Sequence, residues 1–302
     1  MKILITGSSG FIGKNLTKHL SNSGYDFQKL SLRDKEWKNQ ISEKTFEVYI
    51  HLAGIAYDIA NVNNDKIYYE VNYELTKEIF ELFLDDQGAK TFIYFSSIKA
   101  LSDYPETSLT EKDKPDPKTV YGKSKKLAED FILENLPRDK QVFILRPCMI
   151  HGPGNKGNLN VLIKWVEKGI PWFFGAFKNK RSYCNIENLC FIVDKLLKPN
   201  NIASGVYHIA DDGFLSTNDL VALIGSQFNK KVRFTKVPVG LIRFLASIGS
   251  AFRLPFNKQV LNKVTGSYQV SNKKIKMALE IEQLPVSIHE GFRNTVKQNI
   301  ND

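Results

Sequence analysis

Tyr121 and Lys125 stand four residues apart in the run Tyr-Gly-Lys-Ser-Lys, which places a phenol and an ammonium on one face of a helix. A free phenol, with a pKa of about 10, is a poor base at neutral pH. A neighbouring cation stabilises the phenolate and lowers that value, so the pair suits moving a proton to and from a hydroxyl group. Ser97 ends an apolar, strand-like run upstream, where its hydroxyl can hold a substrate oxygen and share its proton with Tyr121. A lone Tyr-x-x-x-Lys also arises on ordinary surface helices, so its meaning depends on what accompanies it.

What accompanies it is a glycine turn at the start of the chain. Gly7, Gly10 and Gly13 lie between an apolar run at residues 2–6 and a helical pattern at residues 11–22 carrying Phe11, Ile12, Leu16 and Leu20. In that place Gly7 permits a tight turn, Gly10 lets backbone approach a diphosphate, and Gly13 lets the helix pack on the strand. The helix start offers unpaired N–H groups, those of Phe11 and Ile12 among them, and the positive end of its dipole. The spacing is GxxGxxG rather than GxGxxG, and its context as the first strand, turn and helix points to a dinucleotide.

The end of the second strand decides between NAD and NADP. An acid there accepts hydrogen bonds from the adenosine 2′-hydroxyl, whereas an arginine pairs with a 2′-phosphate. Ser31 falls where the acid is expected and Arg33 follows two positions later, which favours NADP; Asp34 offers the competing NAD reading.

The elements that must position these groups follow from periodicity. Strands are expected at residues 2–6, 27–32, 48–52, 91–96, 141–145 and 206–209. Helices are expected at 11–22, 67–84, 120–133 and 159–168. This alternation predicts an α/β fold with a Rossmann-like, doubly wound parallel sheet and a smaller mixed α/β substrate lobe. The dinucleotide domain takes residues 1–147, with 186–209 returning to it, and the substrate lobe takes most of 148–302. Strand hints also occur at 232–235 and 268–270.

Composition is that of a globular chain: 42% hydrophobic and 25% charged residues disfavour disorder, collagen and coiled coil. The net charge of +10 suits an anionic ligand, and the basic residues read as a solvated surface with a local anion site rather than a nucleic-acid tract. Cys148, Cys184 and Cys190 are odd in number and lack metal spacing, which fits a reducing, cytoplasmic setting without disulfides. The histidines are dispersed; His51 and His151 are expected to pack or hydrogen-bond, and no metal is expected.

Several motifs together resemble the extended short-chain dehydrogenase/reductase family, which includes nucleotide-sugar epimerases, dehydratases and ketoreductases. They are Gly7/Gly10/Gly13, His51-Leu-Ala-Gly54, Asn72 in Tyr-Glu-Val-Asn, Ser96-Ser97, Tyr121/Lys125 and Arg146-Pro147. The resemblance implies hydride transfer between a nicotinamide and a sugar carbon, commonly C4. Tyr121 would move the hydroxyl proton, Ser97 would orient that oxygen, and Lys125 would bind the nicotinamide ribose and tune the phenol. Leu52, Ala53, Gly54, Asn72 and Ser96 would line the cofactor. Relatives often read Val-Tyr-Gly after the serine strand, where this chain has Ala100-Leu101-Ser102, so the loop over the sugar differs.

For a nucleotide-sugar substrate, UDP-linked on this resemblance, Asn158 would donate at a helix start, Arg181 would pair with phosphate and Phe174 would stack on the base. The plain alternatives are a helix cap, a solvated arginine and a core ring. Residues 238–256 are apolar but broken by Arg243 and Arg253, too short and too charged to span a bilayer. They suit a lid or a homodimer contact, or a membrane-surface helix serving a lipid-linked sugar diphosphate. Three functions remain open: a 4-ketoreductase of a UDP-keto-deoxysugar using NADPH, favoured by Ser31; a 4-epimerase of a UDP-hexose or UDP-N-acetylhexosamine with held NAD; and a non-catalytic dinucleotide sensor.

Overall fold

Ile3, Leu4 and Ile5 are apolar in succession, a pattern suited to a strand covered on both faces. In the computed structural model, which describes residues 1–42, 44–56, 65–155, 159–199 and 201–301, they form β1 (Lys2–Thr6). The order continues with α1 (Phe11–Asn22), β2 (Asp26–Leu30), β3 (Val48–His51), α2 (Asp65–Tyr69), α3 (Leu75–Asp85), β4 (Thr91–Phe95), α4 (Val120–Glu134) and β5 (Gln141–Pro147). Then come β6 (Met149–His151), α5 (Leu159–Glu167), β7 (Tyr183–Asn185), α6 (Ile186–Leu197), β8 (Gly205–Ile209) and α7 (Thr217–Gln227). The chain closes with α8 (Val239–Ala251), α9 (Lys258–Thr265), α10 (Lys273–Ala278) and α11 (Ile288–Asn301).

The main sheet has the order β2-β1-β3-β4-β5-β8, and every pairing is parallel. Alternate residues face opposite layers. Ile3, Ile5, Ile93, Phe143 and Leu145 join Leu16, Leu189 and Val193 of α1 and α6 on one side. Leu4, Tyr49, Phe92 and Ile144 meet Phe80, Phe83, Ala128 and Ile132 of α3 and α4 on the other. The sheet is therefore covered on both faces, the doubly wound arrangement expected. β8 brings the late segment 205–209 back beside β5, and α6 packs near α1.

A second core gathers Trp172, Tyr183, Leu220 and Phe292 among α5, α7, β7 and α11, and β6 pairs with β7 as a small separate ribbon. A last cluster joins Ile242 and Ala246 of α8 to Leu261 of α9 and Phe177.

Two expectations change. The helix expected over 67–84 is interrupted by a π turn at Glu70–Glu74, between α2 and α3. The strand hints at 232–235 and 268–270 make only isolated bridges, from Phe234 to Trp172, Tyr268 to Arg181 and Val270 to Leu109, because their partners are loop residues with no continuous ladder to offer. Positive charge concentrates late in the chain: between Asp219 and Glu280 there are eleven lysines and arginines and no acid, and this run includes α8, α9 and α10.

Candidate active site

Because the sheet is parallel, all its strands end along one edge, and the residues after β1, β2, β3 and β4 meet there. Gly7, Ser31, Leu52 and Ser96 are those residues. The connection from β1 turns to β2 on one side while β3 lies on the other, so the crevice opens where the strand order reverses.

Gly7 sits at φ 69°, and a Cβ on it would lie 2.5 Å from the Ala53 nitrogen. A Cβ on Gly13 would lie 2.4 Å from the Gly7 carbonyl oxygen. Both glycines are required by close backbone packing. Gly10 differs, since a Cβ there would meet only the Gly7 oxygen, at 3.4 Å, and would otherwise point into space. Gly10 caps α1 without a side chain, leaving the N–H groups of its first turn to an outside acceptor. This turn fits a dinucleotide diphosphate.

Beneath the loop after β3 runs a chain of hydrogen bonds through the fully buried His51. Its Nδ1 lies 2.7 Å from the Thr6 hydroxyl and its Nε2 3.0 Å from that of Thr76. Thr76 donates to the Asn72 carbonyl at 2.8 Å, so it accepts from Nε2–H, and Thr6 donates to Nδ1. Burial first, then the charge of Lys125, pushes the His51 pKa down to about 3, so the ring is neutral and takes no part in proton transfer near neutral pH. The Asn72 amide accepts from the Ile55 N–H at 2.8 Å and donates to the Ile55 carbonyl at 3.1 Å and the Ser124 hydroxyl at 3.0 Å. Asn72 lies in the π turn, whose extra residue re-aims side chains relative to a regular helix. A Cβ on Gly54 would stand 2.9 Å from Asn72 Oδ1 and 3.1 Å from Lys125 Nζ, so glycine there lets the loop lie over both.

Tyr121 begins α4, where Thr119 caps the helix by accepting from the Gly122 N–H at 3.1 Å. One turn on, Lys125 is 4% exposed and donates to the Phe95 carbonyl at 2.9 Å, at the end of the strand that leads to Ser97. Its ammonium also lies 4.9 Å from the centre of the Tyr94 ring. Burial pulls the Lys125 pKa down to about 8, against the opposing pull of Glu129. Tyr121 is half-buried, with the Tyr68 ring edge-on at 6.5 Å.

Ser97 is partly exposed in extended backbone (φ −155°), and its hydroxyl oxygen accepts from the Lys99 N–H at 3.2 Å at the start of the tight turn Ile98–Ala100. Two links tie that turn to the start of α4. A Cβ on Gly122 would lie 2.5 Å from the Lys99 carbonyl oxygen. The buried Asp103 accepts from the backbone N–H groups of Lys118 and Thr119 at 2.8 and 3.0 Å and forms an ion pair with Lys99 at 3.4 Å. Ser97, Tyr121 and Lys125 are thus brought to one corner by short backbone contacts.

Ser96 turns the other way. Its hydroxyl donates to the buried carboxylate of Glu129, which also holds Arg146 by two hydrogen bonds, that from Nε being 2.9 Å long. The Ser96 hydroxyl thus joins a network linking β4, α4 and β5. Glu129, Asp103, Ser124, Thr6 and Thr76 were not expected as part of the site.

At the adenosine end, Leu30 closes β2 opposite Thr6, so Ser31 is the first residue beyond the strand. Arg33 is exposed. The Asp34 carboxylate is occupied by the Glu36 N–H at 3.0 Å and the Gln40 amide at 2.7 Å, as part of its own turn.

The substrate-side residues take other places. Phe174 packs edge-on against Trp172 at 5.1 Å, also touches Phe177 and Phe256, and stays partly exposed. Arg181 Nη1 donates to the carbonyls of Lys263 at 2.6 Å and Gly266 at 3.3 Å, at the end of α9. Asn158 lies outside the described residues. Among the described residues no group of three or more His, Cys, Asp or Glu side chains could hold a metal ion. The three cysteines are free and buried.

The model of the NAD dependent epimerase/dehydratase family matches residues 3–210. A UDP-glucose 4-epimerase of Vibrio cholerae is 29% identical, the match covering 98% of this chain and 94% of that one. The N-acetyl-alpha-D-glucosaminyl-diphospho-ditrans,octacis-undecaprenol 4-epimerase of Escherichia coli O157:H7 is also 29% identical, over 91% of this chain and 84% of that one. In fold, the chain superposes on the UDP-glucuronic acid 4-epimerase of Bacillus cereus, solved with NAD, with a TM-score of 0.76 at 17% identity, and on RMD of Pseudomonas aeruginosa, solved with NADPH, with a TM-score of 0.77 at 17% identity. Both superpositions cover 100% of this chain and 99% of the other. With the family match spanning the glycine turn, the tyrosine and lysine pair and the whole main sheet, this chain belongs to the NAD dependent epimerase/dehydratase family.

Proposed function

We propose that the chain inverts C4 of a sugar carried on a diphosphate, in first place a UDP-hexose or UDP-N-acetylhexosamine. The observation that carries this is the ammonium of Lys125, buried and pinned to the Phe95 carbonyl one helical turn behind Tyr121. A fixed positive charge there favours the phenolate of Tyr121, which accepts the C4 hydroxyl proton as that carbon is oxidised and returns it on reduction. Ser97 donates a hydrogen bond to the same oxygen. Asn72, held by Ile55 and Ser124, fixes the loop that borders Lys125. A nicotinamide dinucleotide, which the glycine turn of Gly7, Gly10 and Gly13 would hold, would supply the hydride acceptor and donor. The two similar 4-epimerases from Vibrio cholerae and Escherichia coli support C4 as the reacting carbon.

A second reading, an NADPH-dependent 4-ketoreductase, draws on the end of β2. Ser31 stands where an acid would bind the ribose, Arg33 is exposed nearby, and Asp34 is taken up by its own turn.

The test is to denature the purified protein, identify the released dinucleotide, and then incubate fresh protein with UDP-glucose and UDP-N-acetylglucosamine. Retained NAD with interconversion of C4 epimers, and no need for added reductant, supports the first reading. Consumption of NADPH only with a 4-keto sugar supports the second. A chain that binds neither dinucleotide refutes both.

A further inference from the structure

Helix α8 is apolar on both sides. Its buried stripe is Ile242, Ala246 and Gly249, which seats it on α9 and Phe177. Its outward stripe is Leu241, Phe244, Leu245 and Ile248, continued by Phe252 and Leu254, where a helix of an ordinary soluble surface carries polar groups. Phe244 is 62% exposed and Phe252 75%. Single exposed apolar residues need no explanation, but a continuous row at helical spacing marks a contact surface.

The charge around that row identifies the contact. α8 and α9 lie within the stretch between Asp219 and Glu280 that carries eleven basic residues and no acid. Some of these serve elsewhere: Lys276 pairs with Asp212 and Lys274 donates to the Val206 carbonyl. Arg243, Arg253 and Lys258 remain beside the apolar row. Between α8 and α9 a mostly apolar cleft of about 380 Å³ is lined by Arg243, Ser247, Lys258, Leu261, Asn262 and Thr265, and its two cations are the groups left for an anion, since the Ser247 and Thr265 hydroxyls donate to carbonyls of their own helices. An apolar stripe edged by cations, beside a cleft that carries two of them, is complementary to a bilayer whose headgroups are anionic phosphates above acyl chains. A second copy of this chain would bring the same positive charge against itself. At 13 residues α8 is about 20 Å long, short of the roughly 30 Å of a bilayer core, so it lies in the surface rather than crossing it.

We propose that α8 and the start of α9 dock this protein on an anionic lipid surface, with Phe244 and Phe252 inserted and the Arg243/Lys258 cleft receiving a headgroup phosphate. Docked in this way, the chain meets sugars whose diphosphate is anchored in the same bilayer. That consequence, unlike the docking, rests on the C4 chemistry proposed above.

The experiment is co-sedimentation of the full chain with vesicles of phosphatidylglycerol and phosphatidylcholine in equal parts, against phosphatidylcholine alone, at low and high salt. No sugar is present, so the docking and the C4 chemistry fail separately. Binding to the anionic vesicles is expected, about tenfold or more above the neutral ones and weakened by salt. The double variant F244S/F252S should lose it while its thermal melting and its retained dinucleotide match the parent. The charge reversals R253E and K258E should each lower it by about tenfold. Equal binding to both vesicles, binding to neither, or a dimer in sedimentation velocity that F244S/F252S breaks apart, overturns the proposal.

Discussion

The carbonyl oxygen of Lys99 faces Gly122 so closely that a Cβ there would lie 2.5 Å away. One residue follows Ser97 by two positions and the other follows Tyr121 directly, so this contact sets how near the serine corner comes to the phenol. Gly122→Ala must push the turn Ile98–Ala100 from α4, since the clashing atom is backbone. Overpacking of this kind costs about 1–3 kcal/mol, and a misplacement of about 1 Å at a reacting group can lower turnover about a hundredfold. A steady-state assay with dinucleotide titration checks this: turnover falls while dinucleotide affinity stays within about threefold. Unchanged turnover would mean that the two corners are positioned independently.

Proton linkage gives a second set of outcomes. With its pKa drawn down to about 8, Lys125 loses its charge in the free enzyme as pH rises through that value. The phenolate then loses its stabilising partner, so kcat/KM should decline on the alkaline side with an apparent pKa near 8. Lys125→Arg, which keeps its charge, should move that decline upward even if its activity is lower. A profile flat to strongly alkaline pH would contradict the role of the charge.

Stability should fall on the acid side, where two buried histidines resist protonation. His51 and His208 both have folded pKa values lowered to about 3, chiefly by burial. Below the unfolded value of about 6.5 the unfolded chain takes up protons that the folded chain refuses until about pH 3. Each therefore destabilises the fold as pH falls across that window, by about 2 kcal/mol between pH 7 and pH 5. Urea melts at the two pH values measure the sum, and equal stabilities would mean that these rings are protonated within the fold.

The parts of the site written in short sequence windows were legible. Gly7, Gly10 and Gly13 mark a turn whose geometry depends on neighbours within seven residues, and the Tyr121/Lys125 spacing is a property of one helix. Partners distant in sequence were not. Glu129 meets Arg146 from another element, and Asn72 reaches Ile55 only because a π turn re-aims it; periodicity reads 67–84 as one helix. Asp103 sits in a polar segment that looks like plain loop, yet it anchors the start of α4. Phe174 and Arg181 have residue types suited to a ligand, and their contacts with Trp172 and with the end of α9 come from residues distant in sequence. The concentration of positive charge between Asp219 and Glu280 forms no block of basic residues; it shows as a stretch without acids.

The buried pair of Arg146 and Glu129 should behave as a unit. Glu129→Ala leaves the guanidinium without its counter-ion and the Ser96 hydroxyl without an acceptor, and removing one partner of such a pair typically costs about 3–5 kcal/mol. The double variant Glu129→Met/Arg146→Met should be more stable than Glu129→Ala, because no buried charge is left alone. Chemical denaturation ranks the parent and the two variants, and a double variant less stable than Glu129→Ala would contradict this.

At the adenosine end, Arg33→Ala should weaken NADPH by about tenfold and leave NADH within about twofold, as loss of one charge-assisted phosphate contact does. Fluorescence titration of both reduced cofactors measures the difference. Equal losses would place the 2′-phosphate away from the β2 turn.

The most direct measurement is C4 interconversion by Tyr121→Phe, made alongside dinucleotide binding to the same preparation. Loss of the phenol proton with the ring kept should lower turnover about a thousandfold or more, with the dinucleotide still bound at near-parent affinity. Turnover equal to that of the parent chain would show that some other group moves the proton and would remove the basis of the C4 assignment.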